Sequence, residues 1–294
     1  MTGRSGQADA RGSAPAWFVG VDSDGCVFDT MEMKQRRVFH PLIIAHWQLE
    51  PIAAAVRETA CFVNLYSCWR GSNRFAALLK TFELLAARAD VRASGVALPA
   101  TAALATYVAS AETLGEPSLD AASERTGEPE LARVLAWSRA VNEAVAALEP
   151  GPPFAGVPSA LAALAAVAET VVISQTPAEA LEREWTAHDL RRYVQAIAGQ
   201  EVGSKTAQLQ RYAADYAPDR RLMIGDALGD ARAAAEVGAQ FYPILPGREA
   251  ASWTRFQEEA WPRFQAGRYA GAYAAGLQRE FAALLPEKPP WSQA

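Results

Sequence analysis

Cysteine and histidine are scarce, with three of each in 294 residues. Cys26, Cys61 and Cys68 are too few and too scattered for a disulfide framework. Cys61 and Cys68, seven apart, are expected to share a helix face as small buried residues. With His40, His46 and His188 dispersed along the chain, no zinc cluster can be composed. A basic excess is also missing. The net charge is −5, which argues against a nucleic-acid partner and leaves room only for a local cationic pocket. No apolar run is long enough to span a bilayer, because Glu169 interrupts the longest candidate, around Leu161 to Ile173. The first residues carry Arg4, Asp9 and Arg11 among Gly and Ser, with no apolar signal core. Residues 1–15 are therefore expected as a disordered tail, and the protein as cytoplasmic with no membrane partner. The sequence leaves the oligomeric state open.

What is present is an ordinary globular balance, 50% hydrophobic and 21% charged, able to bury a sizeable core. The organising stretch is Trp17 to Thr30, WFVGVDSDGCVFDT. An apolar run that breaks into Asp22-Ser23-Asp24-Gly25 reads as a buried strand delivering carboxylates at its C-terminal end. Two carboxylates so close repel each other and call for a cation, for which a hard divalent metal with oxygen ligands is the usual answer.

Helical spacing then dominates to about residue 150. Met31 to Gln48 is expected as a helix with Val38, Leu42, Ala45 and Leu49 inward, and Pro51 to Leu65 as another. Tyr66 to Asn73 is a loop, and Asn73 caps a helix to Arg88. Leu98 to Leu114 is helical, Gly115 to Gly127 a polar connector, and Glu128 to Leu148 a helix. EPGPP, residues 149–153, is the clearest boundary. Beyond it strands and helices alternate: Glu169 to Ser174, Tyr193 to Ala198, Arg221 to Ile224 and Gln240 to Leu245 as strands, with helices between them. The expected fold is α/β, a Rossmann-like parallel sheet of about five strands flanked by helices, with an all-helical cap inserted after the first strand. Residues 16–31 and 151–246 form the catalytic core in this reading, 32–150 the cap, and 247–294 a helical extension.

Four strand ends carry polar groups that parallel strands deliver to one edge. These are Asp22 and Asp24, then Ser174 with Gln175 and Thr176, then Lys205 in Gly203-Ser204-Lys205, then Asp226 and Asp230 in GDALGD. Acidic ends suit magnesium, a hydroxyl and an ammonium suit a phosphoryl group, and a free carboxylate can attack phosphorus. The order and spacing resemble the haloacid dehalogenase-like superfamily of phosphohydrolases. Its Asp-x-Asp-Gly motif resembles Asp22 to Asp29, and its strand ending in Ser or Thr resembles Val171 to Ser174. Its Lys near a helix start resembles Lys205, and its Gly-Asp-x-x-x-Asp resembles Gly225 to Asp230.

The resemblance implies a magnesium-dependent phosphatase that hydrolyses a small phosphorylated metabolite through an aspartyl-phosphate. Asp22 is then the nucleophile and Asp24 the acid and base. Magnesium is held by the Asp22 carboxylate, the Asp24 main-chain carbonyl and Asp226, with Asp230 as ligand or support. Ser174 and Lys205 orient the phosphoryl group. A sugar phosphomutase of the same superfamily uses the same residues, and a silent phosphate-ligand binder is the alternative from another class. An insertion at this point resembles a cap that closes over the site, in which Arg36, Arg37, Arg70 and Arg74 are candidate contacts, Arg70 and Arg74 to substrate. Cys26 and Ser23 depart from the usual pattern; Ser23 is placed to touch substrate.

Overall fold

The structure, a computed structural model, describes residues 15–111 and 113–293, so the expected tail, apart from Pro15, lies outside the described residues. Five strands form one sheet: β1 (Trp17–Val21), β2 (Ala168–Ile173), β3 (Ala196–Ala198), β4 (Arg221–Gly225) and β5 (Gln240–Pro243). Their order is β3-β2-β1-β4-β5 and every pairing is parallel. The first strand is central, with Val19 opposite both Thr170 and Leu222. Strand order reverses between β1 and β4, and ligands of open α/β sheets bind at the carboxyl end of such a switch point.

Between β1 and β2 the chain forms α1 (Met31–Lys34), α2 (His40–Trp47), α3 (Ala53–Leu65), α4 (Arg74–Ala87), α5 (Ala89–Ser94), α6 (Ala102–Ser110), α7 (Glu116–Thr126), α8 (Pro129–Ala146) and α9 (Val157–Ala165). After β2 come α10 (Ala178–Ala187), α11 (Lys205–Ala213) and α12 (Leu228–Glu236). After β5 come α13 (Glu249–Arg255), α14 (Trp261–Gln265) and α15 (Ala272–Leu284).

Strand periodicity sorts the core. Val19, Val21, Val172, Leu222 and Ile224 face one side, with residues of α9, α10, α13 and α14. Phe18, Val171, Ile173 and Met223 face the other, with residues of α11, α12 and α15. Burial on both faces is why these strands read as continuous apolar runs. The helices from α2 to α8 bury their own cluster around Trp47, Phe82, Leu104, Val134 and Trp137. This is the helical cap. Its entry and exit run side by side, joined by Asp29 N–H to the Pro152 carbonyl at 3.0 Å and Phe154 N–H to the Val27 carbonyl at 2.9 Å.

Several expectations need correction. Gly115 to Gly127 is not a connector but holds α7, with Pro117 in its first turn and Gly127 closing it in left-handed geometry. Leu98 to Leu114 is helical only over α6, and α5 was unforeseen. Between α1 and α2, residues Gln35–Phe39 form a π turn, which inserts a residue and rotates the following face. Of the residues expected inward, Val38 and Leu49 are buried, Leu42 is half-buried and Ala45 is exposed; His40, Ile43, Ile44 and Trp47 are buried as well. Cys61 and Cys68 do not share a helix, because α3 ends at Leu65.

The extension beyond β5 does two jobs. Trp253 on α13 donates to the Cys26 carbonyl at 2.8 Å, propping the turn after β1. After α15 packs on β5, the chain crosses to the cap. There Cys68 N–H donates to the Pro286 carbonyl at 3.2 Å. Trp291 meets the Phe62 ring edge-on at 5.5 Å and lies 4.6 Å beneath the Arg88 guanidinium.

Gly20 sits where α11 presses on the sheet. A Cβ there would lie 2.9 Å from Met223 Sδ, 3.0 Å from Leu209 Cδ2 and 3.1 Å from Ile173 Cγ1. Gly20→Val should therefore cost about 1–3 kcal/mol by overpacking, read as a lowered urea midpoint.

Candidate active site

Strand ends build the site. Asp22 follows β1, Ser174 follows β2, Lys205 opens α11 after β3, and Asp226 follows β4 with Asp230 in the first turn of α12. The Lys205 ammonium donates to Asp22 Oδ2 at 2.7 Å and to Asp230 Oδ1 at 2.5 Å. Ligand atoms of Asp22, Asp226 and Asp230 all lie within 4.8 Å of one another, the single such acidic group among the described residues. Asp230 Oδ2 accepts from the Asp226 and Ala227 N–H groups at 3.1 and 3.0 Å, so this carboxylate also closes the start of α12.

Arg70 comes from the cap loop. Its Nε donates to Asp226 Oδ2 at 2.7 Å and to the Asp226 carbonyl at 3.1 Å, and its Nη2 lies 2.6 Å from Oδ2. The loop approaches closely. Gly71 has φ +71°, and a Cβ on it would stand 2.6 Å from Ala227 Cβ.

Three buried carboxylates face two cations here. Burial first, then the Asp230 and Asp226 charges, push the Asp22 carboxyl well above its usual range, against the pull of Lys205. Burial likewise raises Asp226, with Arg70 opposing and Asp230 adding. Burial works against the charged form of Lys205, but Asp22 and Asp230 outweigh it and hold the ammonium firmly protonated. The cluster is therefore short of positive charge. Asp226 Oδ1 is buried with no hydrogen-bond partner, a costly state that a cation would relieve. An all-carboxylate donor set suits a hard ion such as magnesium. The residues fit a divalent cation on both counts.

Asp24 stands apart from this trio. Thr30 Oγ1 and Lys34 Nζ both donate to its Oδ1, the latter at 2.5 Å, and Thr176 Oγ1 donates to Oδ2 at 3.1 Å. Burial works to raise this carboxyl, but the Lys34 charge and the three donors bring it below its ordinary value. Thr30, just before α1, and Lys34, its last residue, lie four apart, a spacing that puts both on one face. That pattern is visible in the sequence, though its target is not. Lys34 went unrecognised for this reason.

Ser174 Oγ accepts from Thr176 N–H at 3.2 Å, bracing the turn after β2. Gln208, one turn beyond Lys205 and fully buried, donates to the carbonyls of Ser174 and Gly199 at 2.9 Å and of Gly203 at 3.1 Å. It ties the second and third strand ends together and was also missed. Ser23 does not reach toward a substrate: it is fully buried, and its Oγ accepts from Trp185 Nε1 at 3.0 Å. Arg74 does not join the cluster either. Its guanidinium donates to Ser138 Oγ at 3.1 Å and Asn142 Oδ1 at 2.7 Å and stacks on Phe39, holding cap helices together. Arg36 pairs with Glu32 on the surface.

No family model matches the chain, and no curated protein matches it. Solved structures similar in shape include a haloacid dehalogenase-like hydrolase from Streptococcus pneumoniae, 15% identical, covering 83% of this chain and 91% of that one, with TM-score 0.44. Another is an inferred phosphoglycolate phosphatase from Lactobacillus delbrueckii subsp. bulgaricus, 14% identical, covering 92% and 99%, with TM-score 0.48. A third is an inferred β-phosphoglucomutase from Bacteroides vulgatus, 12% identical, covering 88% and 93%, with TM-score 0.43. At these values the likeness assigns no activity to this chain.

Glu184 on α10 is buried beside Lys34 and Asp24. Burial first, then the Asp24 charge, raise its carboxyl to about 7, with Lys34 and Arg183 opposing. The folded state thus holds this proton more tightly than the unfolded chain does. The associated stability is complete below the ordinary glutamate range and is lost as pH rises through about 7. Glu184→Gln cannot ionise. Its urea midpoint relative to the parent should therefore climb between about pH 5 and pH 7.5. A constant difference across that window would contradict the placement.

Proposed function

We propose that this chain is a magnesium-dependent phosphomonoester hydrolase of the haloacid dehalogenase-like type, acting on a small phosphorylated metabolite. The observation that carries this reading is the meeting of Asp22 with Lys205 at 2.7 Å, inside a trio of carboxylates within 4.8 Å, at the carboxyl edge of the sheet.

Asp22 attacks phosphorus through one carboxylate oxygen, and the ester P–O bond breaks to leave an aspartyl-phosphate. Asp24 gives its proton to the departing oxygen. In the second step Asp24 takes a proton from water, the water oxygen attacks phosphorus, and the bond to Asp22 breaks to release phosphate. Such proton transfer contributes about 10²–10⁴-fold. The Lys34 ammonium favours the carboxylate form of Asp24, which the second step uses; the first draws on the protonated form, so Lys34 sets the balance between them. Lys205 and Ser174 hold phosphoryl oxygens, with Gln208 fixing the two segments that carry them. Magnesium would be held by the carboxylates of Asp22 and Asp226 and the Asp24 carbonyl, with Asp230 as ligand or support. When bound it neutralises charge on the transferring oxygens. The cap closes over the site and adds contacts to the substrate.

Asp22→Asn should lower p-nitrophenyl phosphate turnover by about 10³-fold or more while circular dichroism and the thermal midpoint stay near the parent's. Near-normal turnover in that variant would remove the covalent mechanism. On hexose phosphates, free phosphate rather than an isomerised sugar is the expected product.

A further inference from the structure

We propose that Arg70 and the divalent cation compete for Asp226, so that ion binding opposes the seating of the cap loop on the core. The inference rests on the ion-dependent reading above. Arg70 is only 5% exposed, and Asp226 is fully buried. The guanidinium spends Nε and Nη2 on Asp226 and Nη1 on the Leu65 carbonyl at 2.9 Å. Both donors converge on one oxygen of Asp226, Oδ2, leaving Oδ1 free for an ion, while Nη1 braces the loop itself. This pair helps to hold residues 67–73 against Gly225 to Ala227, together with the close approach of Gly71 to Ala227.

A doubly charged ion held by the same carboxylate would draw electron density from Oδ2 toward Oδ1. It would also stand near a guanidinium of like sign, with Asp226 fully buried and Arg70 nearly so, where repulsion is strong. The ion therefore weakens the Arg70 contact. By linkage, the Arg70 contact weakens the ion to the same degree. The effect stays local, because the loop has a second anchor. Cys68 is tied to Pro286, and Trp291 is packed on Phe62 and Arg88. Loosening the ion pair frees the tip of the loop and leaves the cap in place. The released guanidinium is then available as a donor to a phosphoryl oxygen.

The test uses Mn2+ titration of the full chain, followed by the electron spin resonance signal of the free ion, for the parent, Arg70→Met and Arg70→Lys. Arg70→Met should bind Mn2+ about tenfold or more tightly than the parent, and Arg70→Lys close to the parent. In the parent, hydrogen exchange of the amides of residues 67–73 should speed up on adding Mn2+, while exchange in α4 and α8 stays unchanged. Equal or weaker Mn2+ binding by Arg70→Met would overturn the proposal, as would slower or unaltered exchange in the loop of the parent. The exchange measurement needs no variant and stands if Arg70→Met fails to fold. Turnover of p-nitrophenyl phosphate, assayed in parallel, reports on the proposed reaction separately. Linkage without turnover removes the hydrolase and keeps the competition, and turnover without linkage does the reverse.

Discussion

Crowding of like charge governs this molecule. Asp22, Asp226 and Asp230 bring carboxylate oxygens within 4.8 Å of one another, nearly or fully out of water, where each carboxylate raises the cost of ionising the others. Their tolerance depends on cations brought from elsewhere in the chain. Lys205 arrives from the start of α11 and Arg70 from the cap. A buried charge left without its partner costs several kcal/mol, so the sheet edge and the cap loop stabilise each other. The helix starts matter for the same reason: two N–H groups before α12 take up one oxygen of Asp230 that would otherwise add to the crowd.

Around this cluster the chain separates two carboxylate environments. Asp22 is pushed upward by burial and neighbouring acids, while Asp24, two residues on, is brought down by Lys34, Thr30 and Thr176. This order is the reverse of the one the proposed roles use, so the ionised form of Asp22 depends on the positive charge beside it, from Lys205 and from any bound divalent ion. The difference arises because successive side chains after β1 turn toward different elements: Asp22 to α11, Ser23 to Trp185, and Asp24 to α1.

Much of the fold was legible because parallel strands buried on both faces leave unbroken apolar runs, and because a polar residue directly after such a run has to sit at the carboxyl edge. Asp22, Ser174 and Asp226 could be placed from that alone. The cap was less readable. The polarity of Glu116 to Thr126 suggested a linker, yet the helix there buries only Leu119 and Ala122 and leaves its other positions free to be polar. The π turn at Gln35–Phe39 shifted the inward face by an amount that no fixed period describes. Partners such as Lys34 for Asp24, Arg70 for Asp226 and Gln208 for Ser174 were hidden for another reason. Each joins segments whose meeting depends on how the elements pack, and a lysine, arginine or glutamine on a helix or loop looks the same whether it is solvated or paired.

The central position of β1 bears on how the chain comes into being. Trp17 pairs with Ala168, and Phe18 with Arg221, so this strand emerges from the ribosome long before either neighbour exists. The cap helices, whose contacts are mostly local in sequence, can condense while β1 is still waiting. An apolar strand left open at both edges is a hazard for association with other nascent chains. Its shortness, and the acidic turn that follows at once, limit the exposed stretch to Trp17–Val21 until the rest of the sheet is made.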